Sequence, residues 1–314
     1  MPTAQAGTVA TESLVDYRVW GARVRERKFV LKLLGLVLVL GGVVGGFVLS
    51  NGMLRSLWQP AEMGMIISAA AGAFMLGTPK SVQLQVLAGL RSMVSNRGSF
   101  GRLFYLDLLK LMFDLLDLSR RQGRNALEEH IETPEGSSIF ARYPEVMACP
   151  RVLHFMTDSF RVTTLSNIAF SELENSMEQE LQVCREDLRR AGQALQRTAD
   201  ACPGFGIVVA VLGIIITMQS ISGPVEMIGL HVAAALVGTF FGVLLCYGVL
   251  GPLAAVLDDL GKSEVLACEC VKASLVAGLR GYPPAMAVDA GRRVLLDEDR
   301  PSFIELEESL RVGF

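Results

Sequence analysis

The chain has 314 residues, 51% of them hydrophobic, and a mean hydropathy of +0.41, the profile of a polytopic membrane protein with substantial soluble parts. Its formal net charge of -3 offers no bulk attraction to nucleic acid, and no such partner is expected.

Residues 1–28 are mostly polar and close on Arg23, Arg25, Arg27 and Lys28. The apolar run behind them, Phe29–Leu49, is too long for a signal-peptide core and lacks a clear cleavage site. A hydrocarbon core about 30 Å thick takes about 17–25 apolar helical residues. Four runs meet that length: Phe29–Leu49, Ala61–Gly77, Phe205–Ile221 and Gly229–Leu250. None carries a carboxylate or a cation at its centre. A transporter that moves ions through its own helices places an ionisable residue inside the membrane, so a partner must supply the binding group if this chain works on ions.

The connection Ser50–Pro60 holds only Arg55, and Ser222–Ile228 holds no Lys or Arg. Almost every other cation lies before the first run, between the second and third, or after the fourth. The positive-inside rule then puts both termini and the middle segment in the cytoplasm. The expected layout is a leader (1–28), transmembrane helices one and two (29–77), a cytoplasmic helical domain (78–202), transmembrane helices three and four (203–252) and C-terminal cytoplasmic helices (253–314). Cys149, Cys184, Cys202, Cys246, Cys268 and Cys270 all fall on the cytoplasmic side or in a span, where disulfides are not expected. Cys268 and Cys270 form C-x-C without a nearby histidine pair, so buried thiols are expected there and no metal site.

Within the middle segment, Phe100–Arg121 carries Asp107, Lys110, Asp114, Asp117 and Arg121 three or four apart, on one helical face. Lipid burial of that stripe costs about 2.5–3.5 kcal/mol per charge, so an amphipathic cytoplasmic helix is expected. Ser171–Asp200 reads as a long helix with a seam at Met177, Leu181, Cys184, Leu188, Ala191 and Leu195. Pro203 either starts the third span or kinks a continuous helix. Pro252 stands at the cytoplasmic end of the fourth span, and the two prolines are either a paired hinge or plain helix boundaries. Gly204, Gly206, Ala210 and Gly213, then Gly229, Ala233, Ala234, Ala235, Gly238 and Gly242, give these spans small faces for close packing, within the chain or between chains. Thr217 and Thr239 either line a pore or bond back to their own helices. Beyond the spans, Leu253–Leu279 is helical to the break at Gly281-Tyr282-Pro283-Pro284, and Ala285–Leu296 resumes. Ser302 and Glu305 form a capping box opening a last helix, Phe303–Val312. The fold class is all-α: a polytopic membrane protein with four transmembrane helices and a helical cytoplasmic domain.

From about Phe29 to Arg311 the chain resembles MotA, the A subunit of the bacterial flagellar stator, in the MotA/TolQ/ExbB proton-channel superfamily. The resemblance rests on NGMLRSLWQPAE, FYLDLL, SRRQGRNALEEHIE, IFARYPEV, PGFGIV, VGTFFGVLLCYGVLGPLA, GYPPAMAVDAGRR and RPSFIELEESLR. It implies a ring of five A subunits around two MotB-like B subunits, anchored to peptidoglycan, whose single membrane helices carry a proton-accepting aspartate. It also implies torque passed to the rotor protein FliG through cytoplasmic charges, in the bacterial inner membrane. The family's rotor-contacting arginine and glutamate align with Arg120 and Glu128, flanked by Arg121, Arg124 and Glu129. Its two functional prolines align with Pro203 and Pro252, which favours the hinge. Thr239 aligns with an ion-path threonine, with Thr217 a further ion-path candidate. Ala210 takes a position where sodium-driven relatives tend to have threonine. A methyl group offers Na⁺ no oxygen ligand, so H⁺ is the expected coupling ion and no cofactor is expected. The leader is longer than in typical members, and its Arg23–Lys28 cluster either fixes topology or binds anionic membrane lipid.

The closest rival is an ExbB/TolQ-like energiser of outer-membrane processes, but those proteins have three spans and an outside N-terminus. A self-contained transporter needs an intramembrane charge, and the nearest candidates, Glu62 and His231, are expected to be solvated at span ends. An enzyme is not expected. No nucleophile–base arrangement, phosphate-cradling loop or metal-ligand cluster appears, and His130, His154 and His231 do not converge in sequence.

Overall fold

The computed structural model describes residues 30–31, 34–94, 100–165, 170–219 and 221–311, and contains no strand among them. The helices are α1 (Leu34–Leu49), α2 (Leu54–Leu57), α3 (Pro60–Gly77), α4 (Lys80–Val94), α5 (Arg102–Gln122) and α6 (Asn125–Glu132). They continue as α7 (Pro144–Met147), α8 (Pro150–Leu165), α9 (Phe170–Gln219), α10 (Val225–Leu244), α11 (Gly251–Leu279), α12 (Pro284–Val294) and α13 (Phe303–Arg311). The leader with its Arg23–Lys28 cluster, and Val312, lie outside the described residues.

The chain divides into two compact units. One is formed by the described parts of Ser99–Glu186 and Gly261–Phe314. Its core is organised by α5, which buries Phe104, Tyr105, Leu108, Leu109, Leu111, Met112, Leu115 and Leu116. The charged stripe expected on this helix stays at the surface side. Asp114 accepts a 2.7 Å hydrogen bond from the Tyr143 hydroxyl and pairs with Arg142 at 3.1 Å, and Asp117 pairs with Arg121 at 2.8 Å. Leu173, Met177 and Leu181 of α9 and Ala267, Val271 and Leu275 of α11 join the same core. Ion pairs run alongside: Glu174–Arg280 at 3.1 Å, Glu178–Lys272, and Glu269–Arg185 at 2.6 Å. The break after α11 is a glycine turn. Gly281 takes φ +88°, a conformation that only glycine adopts without strain, and the Tyr282 N–H donates to the Ala277 carbonyl at 3.2 Å. Helix α12 starts one residue earlier than expected, at Pro284, where a missing N–H costs nothing. The capping box forms as read: Ser302 N–H donates to Glu305 Oε2 at 2.7 Å and Glu305 N–H to Ser302 Oγ at 3.2 Å.

The other unit is formed by the described parts of Arg27–Gly98 and Asp187–Leu260. Three helices are long and apolar enough to cross a membrane, Leu54–Gly77, Ser171–Gln219 and Val225–Leu279, with Leu34–Leu49 a shorter apolar helix. Small residues bring α9 and α10 into backbone contact. A Cβ on Gly206 would lie 3.0 Å from the Gly238 carbonyl, and one on Gly242 would lie 2.6 Å from the Cys202 carbonyl. A Cβ on Gly213 would meet the Ala235 methyl at 2.7 Å. The Gly238/Gly242 pair therefore packs within the chain, while Ile207, Val208, Val211, Ile214, Ile215, Leu236 and Val243 point outward.

Candidate functional site

In the unit built around α5, the candidate contact surface is the corner between α5 and α6. Helix α5 stops at Gly123, whose φ of +84° turns the chain. Leu127 and Ile131 anchor the amphipathic α6 in the core, and this register forces Glu128 and Glu129 outward. Arg120, Arg121 and Arg124 are exposed on the same corner. The structure sorts these expected residues into two kinds. Arg121 is tied to Asp117 one turn back, and Arg124 donates to the Thr163 carbonyl of α8 at 3.2 Å. The side chains of Arg120, Glu128 and Glu129 make no hydrogen bond or ion pair among the described residues. Those three charges are available to a partner without first breaking an internal bond.

In the apolar unit, Pro203 lies inside a continuous α9 rather than at the start of a new helix. It has no N–H to return to the preceding turn. Pro252 is preceded by six residues of π-helix, Leu245–Leu250, where the Gly251 N–H reaches back to the Cys246 carbonyl. A wider turn at that point relieves the clash between a proline ring and the carbonyl four residues earlier. Sequence reading missed this segment. Its only visible sign is the pair of glycines, Gly248 and Gly251, ahead of the proline. Between the two prolines' helices, Ala199, Cys202 and Cys246 form a small apolar cluster with Ala70, flanked by Phe205, Leu245 and Leu250.

The candidate ion-path hydroxyls also separate. Thr217 is buried and donates to its own Gly213 carbonyl at 2.8 Å, so its hydroxyl is committed to the helix. Thr239, partly buried where α10 meets Gly206, makes no side-chain hydrogen bond among the described residues, and Ala210 is partly buried on α9. Glu62 and His231 differ from expectation. Glu62 Oε2 and His231 Nδ1 are shielded from solvent without a partner among the described residues, because α3 and α10 pack together. No cluster among the described residues has the make-up of a metal site. Chemically, the arrangement offers exposed charges for docking and apolar helical runs that carry no carboxylate or cation at their centres among the described residues.

Comparison with known proteins gives consistent matches. The Motility protein A N-terminal family matches residues 33–123, and the MotA/TolQ/ExbB proton channel family matches residues 154–269. The chain is similar to the chemotaxis protein LafT of Vibrio parahaemolyticus, 41% identical over 283 residues that cover 89% of this chain and 98% of LafT. It is 38% identical to motility protein A of Salmonella typhimurium over 282 residues, covering 90% of this chain and 95% of that protein. In fold it resembles the flagellar MotAB stator complex from Bacillus subtilis, with a TM-score of 0.65 and 19% identity over 90% of this chain and 98% of that one.

Proposed function

This chain belongs to the motility protein A family, the A subunits of the flagellar stator, and from that premise we propose how its parts divide the work. As a stator subunit of a proton-channel family it is a membrane transducer and not an enzyme, and the N-terminal family match sets it apart from the ExbB/TolQ-like energisers. Proton flow and torque come with the family. In our reading the chain spans the inner membrane four times, with α1 completing the set, and keeps both termini in the cytoplasm. Five copies surround a dimer of a MotB-like, peptidoglycan-binding subunit, which supplies the ionisable group that the spans of this chain lack at mid-depth.

The coupling ion in this reading is H⁺. Ala210 brings no oxygen to the path, and Thr239 is the ion-path hydroxyl that is free to act, with Thr217 held in its helix. Pro203 and Pro252 let α9 and the α10–α11 segment bend as the ring steps around the B dimer. The observation that carries the torque assignment is the α5–α6 corner, where Arg120 and Glu128 stand exposed with no bond among the described residues. Contacts between such charges and the rotor protein FliG act over about 8–10 Å at physiological salt and form and break readily.

Swimming cells test this. In a strain whose only A subunit is this chain, Arg120→Glu or Glu128→Lys is expected to cut swimming speed severely while the subunit still assembles in the membrane. Arg121→Ala and Arg124→Ala should have smaller effects. Equal loss at all four positions, or none at Arg120 and Glu128, contradicts the assignment.

A further inference from the structure

The unit built around α5 contains a thiol pair that the torque function does not use. Cys184 lies on the α9 seam, partly exposed, and Cys268 lies buried on α11. The ion pairs Glu178–Lys272 and Arg185–Glu269 fix the antiparallel register of these two helices, and Cys184 and Cys268 immediately precede the two partners of the second pair. That register sets Cys184 and Cys268 at the same level of the packing between α9 and α11. On the open side, the Arg151 guanidinium reaches Cys184 Sγ at 3.9 Å while its Nε pairs with Glu264 at 3.3 Å. We propose that Cys184 and Cys268 are a peroxide-sensing pair, with Cys184 the attacking thiol and Cys268 the resolving one, which closes a disulfide between α9 and α11.

The electrostatics are consistent with these roles. The hydrogen bond from Cys268 and the charge of Arg151 hold Cys184 below the ordinary cysteine range, against burial. The same hydrogen bond, together with burial, pushes Cys268 above that range. Burial alone pushes Cys270 up to about 12, and burial is the main cause of a similar rise to about 12 at Cys149, so both stay unreactive thiols. The Cys184 thiolate attacks one oxygen of hydrogen peroxide and breaks the O–O bond, leaving a sulfenic acid and a hydroxide that leaves as water after protonation. The Cys268 sulfur then attacks the sulfenic sulfur. The S–O bond breaks, and the Cys268 proton leaves with the hydroxide as a second water. Two thiols lose two electrons and one peroxide gains them. Closure brings the two sulfurs to about 2 Å across the packing of α9 against α11. The link would pin α9 to α11 within this unit.

The test treats native membranes holding the full chain with hydrogen peroxide, blocks free thiols and maps the peptides. One disulfide joining the Cys184 and Cys268 peptides is expected, abolished in Cys184→Ser and in Cys268→Ser. In Cys268→Ser, a dimedone-trappable sulfenic acid should remain on Cys184. Before oxidation, Cys184 should alkylate at pH 7 at least about tenfold faster than Cys149, a difference lost in Arg151→Ala and kept in Arg151→Lys. Oxidation spread equally over Cys149 and Cys270, an inert Cys184, or a Cys184 sulfenic acid that never reaches Cys268 would overturn the proposal.

Discussion

Asp289 shows how a single residue carries part of the stability of the unit built around α5. It is buried on α12, and its two oxygens accept from Arg292 Nε at 2.7 Å and Arg293 Nε at 2.8 Å. Burial raises its affinity for a proton, yet the two guanidinium bonds together win and hold the carboxyl below its usual range. A depressed folded-state pKa contributes stability above the unfolded value of about 3.9, and that contribution is lost as pH falls through the folded value. Asp289→Asn should therefore lower stability by about 1–3 kcal/mol near pH 7, because it leaves the guanidinium groups without their counter-charge. The gap between variant and wild type should close below about pH 4, as thermal unfolding across that range will show. A gap that persists unchanged to lower pH contradicts the account. Arg120 and Glu128 are the opposite case, exposed charges with no internal partner among the described residues.

At the scale of elements, the contact between α9 and α10 depends on residues without side chains. A Cβ on Gly242 falls 2.6 Å from the Cys202 carbonyl, and backbone there has nowhere to move without unseating the Ala199–Cys202–Cys246 cluster. Gly242→Val should cost about 1–3 kcal/mol through overpacking and lower the unfolding temperature of the detergent-purified chain. Gly204→Val, with open space around it, should leave that temperature within about 1–2 °C. Equal effects at both positions contradict the packing described. Much of this level was legible in the sequence. The three- and four-residue spacing of charges identified α5, the S-x-x-E pattern identified the start of α13, and the small residues marked the close face of α10. The π-helix before Pro252 was not legible, because it depends on which carbonyls remain free when a proline follows two glycines. Nor was the division of the corner charges. Arg124 is tied to a carbonyl of α8 whose proximity only the folded core creates.

At the scale of the molecule, the two units differ in what they expose. One unit has a buried aromatic and aliphatic core with ion pairs at its surface. The other exposes Ile, Val and Leu side chains outward and keeps its polar groups few, which suits hydrocarbon. Hydropathy and charge marked the apolar runs, none with a carboxylate or cation at its centre, while the unit boundaries at residues 98 and 187 fall elsewhere than the expected 77 and 202. The absence of a charge at those centres leads to the central proposal, that this chain builds the channel and the lever while a second subunit supplies the proton-binding group. Native mass spectrometry of the complex, purified from membranes after co-expression with the neighbouring membrane-protein gene, tests it most directly. The account predicts five copies of this chain with two of a single-span, peptidoglycan-binding protein that carries a membrane aspartate. This chain alone, or with a partner lacking a peptidoglycan-binding domain, would contradict it.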